Sequence, residues 1–467
     1  MSDTLLKIYQ GLPAPLRSVA ASLRGLYLSY WRYGVETERI AEEAIGRESW
    51  SPSQWKGWQE ERLAHTLNRA ATRVPYYREQ WTARRRNGDR ASWEYLENWP
   101  ILEKESVRRN ASAFVADDCD RRRMFHEHTS GTTGKPLNLW WSKEVVRNWY
   151  ALCEARIRYW NGVSRRNRWA ILGGQLIIPV SQRQPPFWVW NHGLNQLYMS
   201  SYHLAPDLMV SYLDALSRYR VSYLYGYSSS LYSLALALLE SGRNGVDMVV
   251  AITNAEPVYQ YQRATIAQAF NCPVRETYGM AEIVTAATEC AAGRLHVWPE
   301  VGWVEVLDES GSVPSGTSGD LVCTGLINLD MPLIRYRTGD RGTLAQRQGL
   351  CQCGRNLPVL ESVDGRIDDF LYTRDGRRIG RLDPIFKGDL PIREAQIVQE
   401  TLDLVRIRYV PSTGFGSVHE CEIKQRLRAR MGEVNIVLEP ITEVAREPNG
   451  KVRSVICKVV ETQRPGR

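Results

Sequence analysis

At 467 residues, with 43% hydrophobic and 24% charged positions, the chain is long and apolar enough to bury the core of one large domain and a smaller one. Its formal charge of +8 has no basic run beyond Arg84-Arg85-Arg86 and Arg121-Arg122-Arg123, which argues against nucleic-acid binding and leaves the excess as solvated surface that attracts anionic substrates. Nine cysteines, and no compact apolar export segment in the first thirty residues, predict a cytoplasmic protein with reduced thiols or a metal site rather than a disulfide framework.

From Thr4 to Val35 there is no acidic residue, and Lys7, Arg17, Arg24 and Arg32 alternate with Leu, Val, Tyr and Trp. This pattern fits an interfacial helix touching a membrane, or a helix docked on the protein's own core and interrupted at Pro13 and Pro15; the docked helix is the expectation. Residues 1–115 read as a mainly helical subregion, with a stop at Pro100.

The densest chemistry lies in His128-Thr129-Ser130-Gly131-Thr132-Thr133-Gly134-Lys135-Pro136. Glycines let backbone N–H groups wrap an anion, the hydroxyls add donors, and Lys135 supplies a point charge, so the stretch reads as a phosphate cradle; a solvated hairpin turn is the plainer alternative. A Walker loop needs a glycine five positions before Gly134, where Thr129 stands. The β-forming residues Leu137 to Ser142 follow, so the loop is expected to join two strands.

Beyond it, Lys143–Tyr159, Pro206–Tyr219 and Ser230–Ser241 read as helices, while Arg168–Leu172, Ser222–Gly226 and Met248–Thr253 read as strands. The βαβα rhythm predicts an α/β fold with doubly wound, mostly parallel sheets flanked by helices, whose ligands sit beyond the strands' carboxyl ends. Asn254-Ala255-Glu256-Pro257 lies past one such end. Thr277-Tyr278-Gly279-Met280-Ala281-Glu282 is a glycine-bearing turn whose aromatic can stack a base and whose carboxylate can hold Mg²⁺; taken alone, an ordinary turn is the plainer reading. Tyr336-Arg337-Thr338-Gly339-Asp340 places a carboxylate after a tight turn, where it can bridge two sugar hydroxyls. Toward the C-terminus, 397–399, 405–409, 435–438 and 455–460 read as strands and His419–Met431 as a helix stopped by Gly432, a small α+β domain.

Taken together, these motifs resemble the adenylate-forming superfamily of acyl-coenzyme A synthetases, adenylation domains and luciferases. Asp364-Gly365-Arg366-Ile367-Asp368-Asp369 and Asn449-Gly450-Lys451-Val452-Arg453 extend the resemblance. Within the superfamily, Tyr202-His203-Leu204, Gly226-Tyr227-Ser228-Ser229 and Asn254-Ala255-Glu256-Pro257 resemble the branch of phenylacetate–coenzyme A ligases and capsule proteins, and Arg374 to Asp383 resembles the capsule subgroup. The resemblance implies a large ATP- and acid-binding domain, 1–366, and a small mobile domain, 367–467, turning about Ile367 and Asp368. It implies that Thr129 to Lys135 hold the β- and γ-phosphates of ATP, and that Glu282 ligates Mg²⁺. Asp340 would bind the ribose, Arg366 the ribose or phosphate, and Tyr278, Gly279, Ala255 and Glu256 would border the adenine. Lys451 would be the catalytic lysine of the first half-reaction. The acid would be joined to coenzyme A or directly to an amine or hydroxyl; a retired, membrane-associated assembly component is a further alternative. Tyr202, His203 and Tyr227, with Tyr225 and Trp190, suggest an aromatic pocket for the acid.

Finally, Cys351-Gln352-Cys353-Gly354 forms a knuckle-like turn, and Cys290 with His296 lies upstream. This Cys₃His set suits a tetrahedral structural zinc with no open position; four unrelated residues, two of them buried thiols, is the alternative.

Overall fold

The computed structural model describes residues 3–128, 137–179, 181–243, 245–256, 258, 260–308, 311–346, 350–364, 371–375, 377–379, 382–386, 390–442, 444 and 455–459. The glycine loop from Thr129, Arg366 and Lys451 lie outside these described residues.

The helical subregion comprises α1 (Asp3–Gly11), α2 (Ala14–Arg32), α3 (Thr37–Gly46), α4 (Pro52–Arg73), α5 (Pro75–Arg86) and α6 (Lys104–Arg109). Proline sets its punctuation. Pro13 caps α2, and Pro52 and Pro75 open α4 and α5, where a missing N–H costs nothing. Helix α4 also starts on a capping box between Ser51 and Gln54.

A hairpin of β1 (Phe125–His128) and β2 (Asn138–Trp141) pairs His128 with Asn138, so the glycine stretch joins two antiparallel strands, as expected. Helix α7 (Lys143–Cys153) follows, its N-terminus capped by the Ser142 hydroxyl. Next come β3 (Trp169–Gly173), β4 (Trp188–Asn191), β5 (Gln196–Ser200), α8 (Met209–Arg218), β6 (Tyr223–Gly226), α9 (Ser228–Glu240), β7 (Val250–Thr253), α10 (Gln260–Phe270) and β8 (Val274–Gly279). The βαβ units expected from the sequence are present: β5, β3, β6, β7 and β8 run parallel, with α8 to α10 packed over their apolar residues.

The parallel order covers only part of the sheet. Strands β9 (Ala286–Glu289), β10 (Leu295–Val297), β11 (Gly302–Asp308), β12 (Gly311–Ser312), β13 (Gly319–Gly325), β14 (Tyr336–Leu344) and β15 (Val359–Asp364) extend it antiparallel. The result is one mixed thirteen-stranded sheet, ordered β12-β11-β13-β14-β15-β10-β9-β8-β7-β6-β3-β5-β4. The helical subregion buries Leu63, Leu67, Trp81 and Trp99 in the same core as residues of this antiparallel half.

The C-terminal α/β unit has β16 (Leu371–Tyr372), β17 (Arg378–Ile379), β18 (Ile392–Thr401), β19 (Leu404–Pro411), α11 (Ser417–Met431), β20 (Asn435–Pro440) and β21 (Val455–Cys457). Its four-stranded sheet runs β20-β19-β18-β21 and carries its own core.

Candidate functional site

Strands β6 and β7 end side by side, Gly226 opposite Thr253 and Thr253 opposite Glu276, while β8 runs on to Gly279. Just beyond β7, the Asn254 amide N–H donates to the Gly226 carbonyl at 3.0 Å, Ala255 takes a φ of +62°, and buried Glu256 accepts a 3.2 Å hydrogen bond from Ser228 Oγ. Thr277, Tyr278 and Gly279 finish β8 as a strand rather than forming the turn expected from their composition. The turn comes after them. Ile283, fully buried, adopts a φ of +50°, uncommon for a β-branched residue and the kind of strain a functional site retains.

Thr338-Gly339-Asp340 is likewise not a free turn but a bulge in β14. The pairing steps from Asp320–Arg341 to Val322–Arg337, so three residues of β14 stand opposite one of β13. Thr338 Oγ1 donates to the carbonyl of that residue, Leu321, and accepts from the Asp340 N–H at 3.1 Å. The bulge aims the Asp340 carboxylate at Tyr278, whose hydroxyl donates to it at 3.0 Å. Burial and then the Asp340 charge raise the Tyr278 phenol well above its ordinary pKa, so it remains a donor.

Glu282 is buried, and its Oε1 accepts from Lys104 Nζ at 3.1 Å and from Tyr336 Oη at 2.9 Å. Burial alone would raise the Glu282 carboxyl. The Lys104 ammonium and the Tyr336 and Lys104 hydrogen bonds outweigh that, and its pKa lies below the ordinary value. The second and third motifs are thus tied together twice, by Tyr278–Asp340 and by Glu282–Tyr336. An ionised buried carboxylate has the donor chemistry Mg²⁺ requires.

The four metal-type residues also converge. The ligating atoms of Cys290, His296, Cys351 and Cys353 all lie within 4.8 Å of one another. Cys290 Sγ is 3.9 Å from Cys351 Sγ, and Cys353 Sγ is 3.5 Å from His296 Nε2. Zinc bonds of about 2.3 Å to sulfur and 2.0 Å to nitrogen imply tetrahedral edges of about 3.8 and 3.5 Å. Both cysteine turns have one geometry: the Gly293 N–H donates to Cys290 O and the Cys290 N–H to Arg294 O, while Gly354 and Cys351 repeat this with Cys351 and Arg355. His296 Nδ1 lies 3.2 Å from the Leu357 carbonyl, which fixes the proton there and leaves the Nε2 lone pair for a metal. Burial lowers His296 to about 4, so the imidazole is neutral, as a ligand must be.

Behind the cluster, Glu48 accepts from Arg355 Nε at 2.8 Å and from Trp160 Nε1 at 2.6 Å, and the Trp160 ring stands edge-on to His296. Arg156, fully buried, forms a bidentate pair with Glu300 at 2.6 and 2.7 Å. The cluster therefore joins the segments after Glu282 and Asp340 to the helical subregion.

Residues 371–458 match the family described as the CapK C-terminal domain. The chain is 24% identical to Protein CapK of Staphylococcus aureus over 410 residues, 86% of this chain and 89% of that protein. It is 26% identical to a phenylacetate–coenzyme A ligase of Thermus thermophilus over 336 residues, 68% of this chain and 71% of the ligase. In fold it is similar to 2-hydroxyisobutyryl-CoA ligase solved with 2-HIB-AMP and CoA, with a TM-score of 0.55 and 21% identity over 88% of this chain and 91% of that one. In sequence the chain is thus similar to CapK and to the phenylacetate–CoA ligases, and in fold to an acyl-CoA ligase.

The structure departs from the expected aromatic pocket at three positions. Tyr202 is buried among residues of the C-terminal core, and its hydroxyl donates to the Gly174 carbonyl at 2.7 Å. His203 is fully buried, Nδ1 at 2.8 Å from Ser200 Oγ and Nε2 at 3.2 Å from Pro179 O, with its ring stacked on Phe187. A buried imidazole must satisfy both nitrogens, and protein groups do so. Trp190 lies on the edge strand β4, three strands along from β6, and stacks on Tyr219. Tyr227, by contrast, follows β6 directly at the strand-end cluster. Lys104 and Tyr336 were not singled out from sequence as partners of Glu282. Lys104 is 178 positions away, and it reaches the site because Leu102 pairs with Tyr336 as an isolated bridge alongside β14.

Proposed function

We propose that the chain activates a carboxylic acid with ATP as an acyl-adenylate and then transfers the acyl group to coenzyme A. Similarity to the phenylacetate–CoA ligases and the shared fold support a ligase; the residue roles, the acid and the acceptor are our reading. One observation carries it: Tyr278, Glu282, Tyr336 and Asp340 meet at the carboxyl end of β8 and the bulge of β14, with Ala255 and Glu256 at the neighbouring strand end.

In this reading Asp340 accepts from the ribose hydroxyls, with the Tyr278 hydroxyl orienting its carboxylate. Ala255, Glu256, Tyr278 and Gly279 border the base. The loop 129–135 holds the phosphates, Arg366 contacts ribose or phosphate, and Glu282 holds Mg²⁺, which when bound draws negative charge from the phosphates. Lys104, 3.1 Å from Glu282, adds a fixed positive charge where pyrophosphate charge develops. The acid's oxygen bonds to the α-phosphorus, the α–β phosphoanhydride bond breaks, and pyrophosphate leaves. In the second step the coenzyme A sulfur bonds to the acyl carbon, AMP leaves with the bonding pair, and the thiol proton passes to solvent.

The chain divides at 366/367, and the C-terminal unit turns about Ile367 and Asp368 so that Lys451 serves the first step only. Cys290, His296, Cys351 and Cys353 hold a structural zinc, supported by the tetrahedral edge lengths. The test is acid-dependent pyrophosphate release over a panel of aryl, hydroxy, fatty and amino acids, with and without coenzyme A. Release that grows with coenzyme A and yields a thioester supports the reading. Acid-dependent release that no thioester accompanies would direct the acyl group to an amine or hydroxyl, and no acid-dependent release from any acid would reject it.

A further inference from the structure

Helix α2 is mounted with its polar face inward. Ser18 Oγ accepts from the Trp190 N–H at 3.3 Å, and Ser22 Oγ from the His192 N–H at 3.1 Å. Arg17, buried, donates to Gln182 at 2.8 Å. Gly25 lies so close to the end of β4 that a Cβ there would sit 1.8 Å from Asn191 Oδ1. On the opposite face, Leu16, Val19, Leu23, Leu26 and Tyr30 follow one another at helical spacings of three and four, with Tyr27 beside Leu26, and all six are 50–63% exposed. A helix that only covers a core shows the reverse arrangement. The docking expected from sequence is therefore real, but the face that docks is the polar one.

Between Asp3 and Glu36 every charged residue is basic. Lys7 and Arg24 are exposed, and Lys143 of α7 places its ammonium 3.4 Å from the centre of the Tyr30 ring. Leu5 and Ile8 of α1 are also exposed. Two copies meeting through α2 would set like charges together with no acid from this segment between them, whereas anionic headgroups complement them. Tyr27 and Tyr30 offer the apolar body and polar tip that suit the headgroup level. At about 28 Å for 19 residues α2 has the length of a span, yet among the described residues no helix is apolar enough to cross a membrane. The geometry points to a peripheral site: α2, continued by α1, lies in the plane of an anionic bilayer with Leu16, Val19, Leu23, Leu26 and Tyr30 in the acyl boundary and Lys7 and Arg24 among the headgroups.

The test is co-sedimentation of the full-length protein with vesicles of phosphatidylcholine alone and with about one third phosphatidylglycerol, beside a Leu23→Glu, Leu26→Glu variant. The wild type should pellet with the anionic vesicles, and the double variant should lose partitioning on the order of 10²-fold, the loss expected for two leucines. Because both side chains face solvent, its melting temperature and circular dichroism should match the wild type. No pelleting with anionic vesicles, equal pelleting with both compositions, or pelleting unaffected by the double variant would overturn the proposal. A vesicle-free dimer by ultracentrifugation that the double variant dissociates would also overturn it, giving the face to a second copy.

Discussion

Removing Cys351 and Cys353 together tests the metal reading most directly, because the structure sets the size of the effect. Cys290 and Cys351 are 61 residues apart, so a metal bridging them closes a long loop in the unfolded chain. Treated as one cross-link, such a loop is worth about 4 kcal/mol. At roughly 2 °C per kcal/mol for a domain of this size, Cys351→Ala with Cys353→Ala should lower Tm by about 5–10 °C. Losing two half-buried thiols contributes little, since neither fills the core. The wild type should carry about one zinc by elemental analysis and fall toward the double variant in excess chelator, while the exposed Cys421→Ala should retain both zinc and Tm. A wild type that takes up no zinc after reconstitution, and melts with the double variant, would refute the assignment.

Asp340→Ala should weaken ATP binding about 10- to 100-fold by calorimetry, since it removes the ribose acceptor and strands the Tyr278 hydroxyl; unchanged affinity would remove the ribose role. Glu276 is raised to about 7 by burial and by the Glu289 charge, so its contribution to the fold is greatest below pH 4.5 and is lost as pH rises toward 7. With its side chain one third exposed, Glu276→Gln should stabilise the protein by only about 1 kcal/mol at pH 8 and not at pH 4, and melts with no pH-dependent gain would contradict this. Lys451→Ala should depress acid-dependent pyrophosphate exchange about 10²-fold or more while a supplied acyl-adenylate is still converted to product; equal loss in both half-reactions would contradict the rotation.

What was legible in the sequence followed from local chemistry. Alternating apolar runs and helical periods marked β3, β6, β7 and the helices between them, because βαβ units write their order along the chain. Cys290, His296, Cys351 and Cys353 stood out because few other patterns place such donors beside glycine turns. The antiparallel half was not legible, since each of its strands takes its meaning from a partner distant in sequence. Thr338-Gly339-Asp340 has the composition of a turn, and only pairing on both sides makes it a bulge in a central strand. Lys104 looked like any lysine in a short helix until the Leu102–Tyr336 bridge brought it beside Glu282. Helix α2 shows the same division most clearly. Its periodicity is identical whether the apolar stripe faces the core or a bilayer, so docking on the core was the expectation only as the commoner arrangement. The choice lies in Ser18, Ser22 and Gly25, small residues that let the helix sit close on β4 and the segment after it through hydrogen bonds. An apolar stripe predicts that something will cover it; the packing of the opposite face shows that the protein's own core does not.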